Sequence, residues 1–381
     1  MRVLVIPSWY PTGEDKLMGI YHKEYCAALA KEQNIQVNML YIDRQPLSKP
    51  FNYLFIKKKS IDFENNYSVY KYCTLDYNSI NPILALKLYT KKLERAFKDY
   101  LKNNPFPDVI HAQVTLPAGY AACILGKKYN SPVVVTEHAS GFMKFFEGSN
   151  KEYGEYVLNN SYYTTVSNMM KNKIVEMGYK CDVIPNLVET DIFHNKHYKR
   201  GKTLNLVAVS AFRKGKRIDD IIKALNIIVL KHTKNIHLNI VGDGYLMDRY
   251  KNLVSELNLQ DYVTFYGRKT KHEIAQILSQ NDIFVVASLF ETFCIPGVEA
   301  LASGIPVVST KCFGPEEYID SACGELCEVD NPQSLADTIM RVAKKLDKYD
   351  SKYLRNKAEQ FSPKNVCLHA IDIYNEVIKT K

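Results

Sequence analysis

Short apolar runs recur along the chain, each followed by a loop and then a segment with apolar residues at helical spacing. RVLVI (2–6) has the pattern of a buried strand. After the aromatic loop PSWYPTGEDKLMG, a helix is predicted over about 20–31, where Ala27, Ala28, Leu29 and Ala30 favour it. IQVNMLYI (35–42) alternates as a second strand. Residues 44–80 have no clean period, and no element is assigned there. A helix over 83–103 carries Leu86, Tyr89, Leu93 and Phe97 on one face. PDVIHAQ (107–113) is a strand with His111 at its end, a helix covers about 117–129, and the strand in PVVVTEHASGF (132–142) runs into His138. Residues 162–179 give strand, helix and a glycine stop.

The second half repeats the alternation. LNLVAVS (204–210) is a strand, and a basic loop leads to a helix from about Ile218. Further strands are expected within 237–250 and 262–274, at 283–287, and at PVVST (306–310). The helix between the last two begins near Pro296, whose fixed φ and missing N–H suit a first turn, and is stopped by Gly304 and Pro306. Residues 361–378 form an amphipathic helix. This β–α alternation predicts doubly wound parallel sheets with ligand loops at the strand C-termini. The polar stretch 194–202 places a boundary near 190–200, giving domains 1–190 and 200–360.

Candidate chemistry gathers at strand ends. Glu291 and Glu299 lie eight residues apart, one on a loop and one expected in the first helical turn. Cys294 and Ile295 carry no side-chain oxygen to cap that helix, and an uncapped N-terminus suits phosphate. A simple complement to the helix dipole would equally explain Glu299. Arg213, Lys214, Lys216 and Arg217 crowd one strand end. They are either a solvated basic loop or a clamp for a departing diphosphate. Gly19 opens the first helix, as a plain turn glycine or a point of close backbone approach to a ligand. Trp9 and Tyr10 either stack on a sugar or pack, and His138 sits at the rim where ligands bind. Gly242-Asp243-Gly244 is followed by Met247 where a dinucleotide fingerprint needs its third glycine, which argues against a nicotinamide-dependent enzyme.

The stretch SLFETFCIPGVEALASGIPVVST (288–310) resembles the E-x7-E signature of the retaining glycosyltransferases of family 4. Both acids, Phe293, Pro296 and Gly304 to Val308 fall where that family has them. VIPNLVETDIF (183–193) resembles the segment that joins its two domains, with Leu187 where glycine is common. KCFGPEEYI (311–319) resembles its G-G-x-x-E turn, with Phe313 in place of the first glycine. Two further departures are Met18 before Gly19, where the family often has two glycines, and Ala211 in place of an arginine.

The resemblance implies a GT-B fold of two Rossmann-like domains facing across a cleft, the C-terminal helix (361–381) crossing back to the first. It implies transfer of a sugar from a nucleoside-diphosphate sugar to an acceptor hydroxyl with retention, without metal or other cofactor. The donor would meet Gly19, Arg268, Cys294, Ile295, Pro296 and Glu299. Catalytic roles would fall to His138, Glu291 and Lys216, the last on the diphosphate, with Arg213 a candidate to reach the same phosphate from two residues beyond the unmatched Ala211. Trp9 and Tyr10 would lie toward the acceptor, and His111 either on that side or behind the residues that touch the sugar. A non-hydrolysing nucleotide-sugar epimerase shares the fold, and a weakly active nucleotide-sugar-binding protein would fit Ala211.

Composition narrows partners rather than fold. At 381 residues and 46% apolar the chain can bury a sizeable core. No apolar run approaches the roughly 18 residues of a spanning helix, and the apolar start before Pro7 is too short for a signal peptide. A cytoplasmic chain is therefore expected, and in it the nine cysteines should be free thiols rather than disulfides. Residues 1–185 hold 23 Lys and Arg against 17 Asp and Glu, which is either a solvated basic face serving a soluble acceptor or a surface suited to an acceptor presented at the anionic inner face of a membrane, in assembly of a bacterial surface glycan. No helix-turn-helix, RNP or zinc-finger pattern supports nucleic-acid binding.

Overall fold

The computed structural model describes residues 1–11, 18–47, 57–193 and 200–380. The chain divides into two compact units, Met1–Pro185 with Pro363–Lys381, and Asn186–Ser362. The division falls a few residues before 190–200. Residues 188–190 already bond within the second unit, Val188 N–H to Phe361 O at 2.8 Å and Thr190 Oγ1 to Glu359 Oε2 at 3.0 Å.

The first unit runs β1 (Arg2–Pro7), α1 (Ile20–Leu29), β2 (Gln36–Pro46), β3 (Lys59–Glu64), β4 (Tyr67–Asp76), α2 (Pro82–Tyr100), β5 (Val109–Gln113), α3 (Tyr120–Tyr129), β6 (Val133–Glu137), α4 (Lys151–Asn159), β7 (Tyr162–Thr165), α5 (Asn168–Glu176) and β8 (Asp182–Val183). The strands form one sheet in the order β3-β4-β2-β1-β5-β6-β7-β8, parallel except for β3. Strands covered on both faces need apolar residues at every position, which is why RVLVI and VVVT read as unbroken runs. α2 starts where Asn81 accepts from Leu84 N–H at 3.0 Å with Pro82 in the first turn.

The β3–β4 hairpin fills part of the stretch to which no element was assigned. Its two-residue turn is Asn65-Asn66, both at positive φ (40° and 71°), as a primed turn demands. Asparagine tolerates that conformation, so the paired asparagines were the local signal.

The second unit contains β9 (Leu204–Val209), α6 (Ile218–Lys231), β10 (Ile236–Val241), α7 (Met247–Glu256), β11 (Val263–Gly267), α8 (Lys271–Leu278), β12 (Ile283–Val286), α9 (Ile295–Ala302), β13 (Val307–Thr310), β14 (Gly324–Cys327), α10 (Pro332–Ala343) and α11 (Ser351–Glu359). Its parallel sheet has the order β11-β10-β9-β12-β13-β14. Leu206, Leu238, Ile240, Ile283 and Val285 pack with Ile222, Leu225 and Ile339 in its core. The order reverses between β9 and β12, the switch point at which doubly wound sheets open a crevice.

The last helix, α12 (Pro363–Lys379), belongs to the first unit. It buries Val366, Cys367, Ala370, Ile373 and Tyr374. The Tyr374 hydroxyl meets the Tyr25 hydroxyl at 2.7 Å and His111 Nδ1 at 2.6 Å. Every cysteine is a free thiol. Among the described residues no helix is long and apolar enough to cross a membrane.

Candidate active site

A cavity of about 300 Å³ lies at the switch point of the second unit. Ser210 and Ala211 line it after β9, Ser288 and Glu291 after β12, Lys216 from the loop before α6, and Pro296 from the start of α9. Two backbone contacts hold the loops together. Leu289 N–H bonds Gly215 O at 2.9 Å, which draws the basic loop against the β12 loop. Glu291 N–H bonds Cys312 O at 2.8 Å, and Gly314 N–H bonds Glu291 O at 3.0 Å.

Lys216 Nζ therefore reaches Glu291 Oε1 at 2.6 Å, and Ser288 Oγ donates to the same oxygen at 2.6 Å. The Glu291 side chain is 11% exposed and that of Lys216 30%, so the pair is largely screened from water but open to the cavity. Ser288, three residues before Glu291 in the same loop, was not singled out from sequence.

α9 starts as its residue types imply. Cys294 is its N-cap at φ 69°, ψ 69°, with no side-chain cap, and Pro296 stands in the first turn. Burial pushes the Cys294 thiol up, and the nearby Glu291 charge adds to that. Tyr318 braces the cap by donating to Cys294 O at 3.1 Å. Its hydroxyl oxygen lies 2.0 Å from where a Cβ on Gly297 would stand, so only glycine fits.

Glu299 corrects an expectation. The left-handed Cys294 lets the helix begin at Ile295, so Glu299 is its fifth residue, beyond the first turn. It is buried and does not line the cavity. The dipole effect fades past the first turn, so dipole complementation no longer accounts for this acid.

The basic loop separates into different roles. Lys216 enters the cavity, whereas Arg213, just before the short turn Lys214–Lys216, is exposed and is not brought into the lining. Arg217, at φ 52°, forks onto Asp220 at 2.8 and 3.0 Å and also pairs with Asp330, so its charge is taken up locally. Arg268 is likewise exposed, after Gly267 at the end of β11, and outside the cavity lining.

In the first unit the order reverses between β1 and β5; Trp9 and Tyr10 follow the end of β1, His138 follows β6, Gly19 caps α1 and His111 lies within β5. Gly19 caps α1 at φ 72°, and an added Cβ would sit 2.6 Å from Trp9 O. His138 Nε2 lies 2.6 Å from Gln113 Oε1, and since an amide oxygen only accepts, this nitrogen carries the proton. Glu137 fixes the loop on which His138 stands. Its buried carboxylate accepts from His138 N–H (2.7 Å), Ala139 N–H (2.6 Å), Thr115 N–H (2.9 Å) and Thr115 Oγ1 (2.6 Å). Burial raises this carboxyl and the four donors oppose the rise.

The His138 ring packs against Tyr21 (4.8 Å between centroids) and edge-on to His22 (5.3 Å). His22 is buried, has no hydrogen-bond partner among the described residues, and is held neutral by that burial. Gln113, Tyr21 and His22 were missed from sequence. Gln113 had a local signal, since it ends β5 beside Thr136 as His138 follows β6.

His111 lies inside its strand rather than at its end, and stands behind His138: Gln113, whose Oε1 meets His138, has its Nε2 3.2 Å from His111 Nε2. His111 is the middle residue of β5, fully buried between the Tyr374 hydroxyl and Thr136 Oγ1 (2.7 Å), and burial drives its pKa down to about 3. Tyr10 is buried as well, donating to Glu64 Oε2 at 2.8 Å, so it packs. Trp9 is half-buried.

Comparison with known proteins meets this geometry at both units. Residues 23–192 match the model described as Glycosyltransferase Family 4, and residues 189–361 that described as Glycosyl transferases group 1. An uncharacterized glycosyltransferase of Methanocaldococcus jannaschii is 30% identical over 245 residues, 62% of this chain and 65% of that protein. N-acetyl-alpha-D-glucosaminyl L-malate synthase of Bacillus anthracis is 24% identical over 339 residues, 83% of each chain. Parts of the chain also match a lipopolysaccharide 1,6-galactosyltransferase of Escherichia coli and an amylovoran biosynthesis glycosyltransferase of Erwinia amylovora. Among solved structures, Anabaena HepE in complex with UDP superposes with a TM-score of 0.73 at 16% identity, covering 99% of this chain and 100% of that one. With two family models meeting end to end over residues 23–361 and two Rossmann-like units of the GT-B type, the chain belongs to the family 4, group 1 glycosyltransferases.

Proposed function

We propose that this protein moves a sugar from a nucleoside-diphosphate sugar, UDP- or GDP-linked, to a hydroxyl of a glycan or lipid-linked glycan in bacterial surface polysaccharide assembly. It does so with retention and without a metal. The observation that carries the reading is the second-unit cavity, where the Lys216–Glu291 pair faces a helix start that has no side-chain cap. Lys216 and the first N–H groups of α9 neutralise charge that grows on the leaving diphosphate. Both bonds to Glu291 fall on Oε1, which leaves Oε2 for sugar hydroxyls. Support for the nucleotide comes from a neighbour crystallised with UDP, and for the acceptor class from the lipopolysaccharide and amylovoran relatives.

In the proposed step the acceptor oxygen bonds the anomeric carbon on the side from which the diphosphate oxygen departs. The hydroxyl proton passes to that phosphate oxygen, and a nucleoside diphosphate is released. Ribose hydroxyls are assigned to Glu299 and the reacting end of the sugar to His138, carried from the family resemblance. The basic first unit supports an acceptor held at the inner face of a membrane.

Thermal shift against UDP-, GDP- and ADP-sugars identifies the donor, because a bound ligand stabilises by mass action. Product analysis then separates transfer from epimerisation. Lys216→Ala and Glu299→Gln should each lower transfer by about 10²-fold or more with the far-UV spectrum unchanged. Near-normal turnover in both would remove the assignment.

A further inference from the structure

We infer that the rings of Phe290 and Phe313 form a lip beside Glu291 that stacks against the apolar face of a pyranose. This deepens the proposed function and rests on its reading that Glu291 meets sugar hydroxyls.

Phe313 sits at φ 77°, ψ −78°, a conformation that favours glycine and that a bulky residue adopts only under constraint. Its neighbours supply the constraint. Phe313 N–H donates to Glu316 Oε1 at 2.6 Å, and residues 312 and 314 are tied on either side to the backbone of Glu291. Gly314 is pressed so close that an added Cβ would lie 2.6 Å from Phe293 N.

Burial does not account for keeping a phenyl ring at this strained point, since Phe313 is 43% exposed. Phe290, half-buried and next to Glu291 in sequence, meets it at 5.2 Å between ring centroids, tilted by 52°. Neither ring lines the cavity; both stand on the loops that carry Glu291 and fasten it. A carboxylate whose own loop and fastening loop both carry aromatic rings matches the two-sided chemistry of a pyranose, with hydroxyls around its rim and C–H groups on its faces. The donor sugar and a sugar of the acceptor share that chemistry.

Phe313→Gly separates the role in binding from any role in folding, because it removes ring and strain together. The variant should melt at an unchanged or higher temperature. Calorimetric titration with UDP and GDP, and with UDP-glucose, UDP-N-acetylglucosamine and GDP-mannose, isolates the sugar's share of binding. A loss of five-fold or more in nucleotide-sugar affinity with unchanged diphosphate affinity assigns the lip to the donor. A five-fold rise in KM for octyl glucoside or octyl galactoside alone assigns it to the acceptor. Phe290→Ala should move the same quantity in the same direction. If Phe313→Gly leaves nucleotide-sugar affinity and acceptor KM unchanged, the lip is refuted. Wild-type protein that binds none of the five nucleotides refutes the reading of Glu291 and the lip with it, a failure visible before any substitution is made.

Discussion

Replacing Lys216 by alanine takes away the cation that pairs with Glu291 at 2.6 Å. At an effective dielectric of about 20, unit charges 4 Å apart attract by about 4 kcal/mol, and desolvation of both groups offsets much of that. What remains after the substitution is a carboxylate that is only 11% exposed in the intact pair and, among the described residues, keeps Ser288 as its side-chain partner. Leaving such a group short of partners costs about 1–3 kcal/mol, and the 30% exposure of Lys216 puts the expected loss in the lower half of that range. Glu291→Gln removes the charge while its amide can still meet Ser288. Lys216→Ala with Glu291→Gln should therefore be about 1 kcal/mol more stable than Lys216→Ala alone. Urea unfolding followed by far-UV dichroism measures this. Trp9, the sole tryptophan, lies in the first unit, so its fluorescence is the internal control. Transfer should stay depressed by about 10²–10³-fold in both variants, because recovered stability does not restore the cation. Destabilisations that simply add in the double variant would refute the coupling.

Gly297→Ala should destabilise by about 1–3 kcal/mol despite a gain of about 1 kcal/mol in helix propensity. Its Cβ would meet the buried Tyr318 hydroxyl, whose ring is packed against Phe293 and Phe361 and cannot retreat. Adding Tyr318→Phe removes the nearest atom and should recover at least half of the lost melting temperature. Stability of the first unit should fall on acidification. His111 stays neutral in the fold with a pKa of about 3, whereas the unfolded chain takes up a proton below about 6.5. Stability is therefore complete above about 6.5 and is lost progressively as pH falls toward 3, by about 2 kcal/mol at pH 5 from this residue alone. His22, also pushed well down, acts in the same direction. The urea midpoint by Trp9 fluorescence at pH 7 and pH 5 checks it, and His111→Gln should flatten the dependence.

The elements were legible because they rest on local rules. Apolar runs long enough for a strand, Pro296 at a helix start, and Gly267 and Gly304 at positive φ all act within a few residues of themselves. The unpaired helix start at Cys294 was legible for the same reason, since capping depends on one side chain. The β3–β4 hairpin escaped because Asn65-Asn66 is a weaker turn signal than Asn-Gly and the flanking pattern is broken by lysine and tyrosine.

Chemistry at the site needed tertiary information. His111 and His138 both follow apolar runs, yet Tyr374, 263 residues from His111, seals one into the core while Gln113 holds the other at a strand end. Arg213 and Lys216 are three residues apart in one loop, and the bond from Leu289 to Gly215 draws that loop against Glu291, with Lys216 alone of the two reaching the cavity. Sequence by itself determined which segments become strands and helices, because periodicity, proline, glycine and capping are short-range properties of the chain. Which charged and aromatic side chains converge was decided only by the tertiary structure, since orientation and burial depend on partners tens to hundreds of residues away.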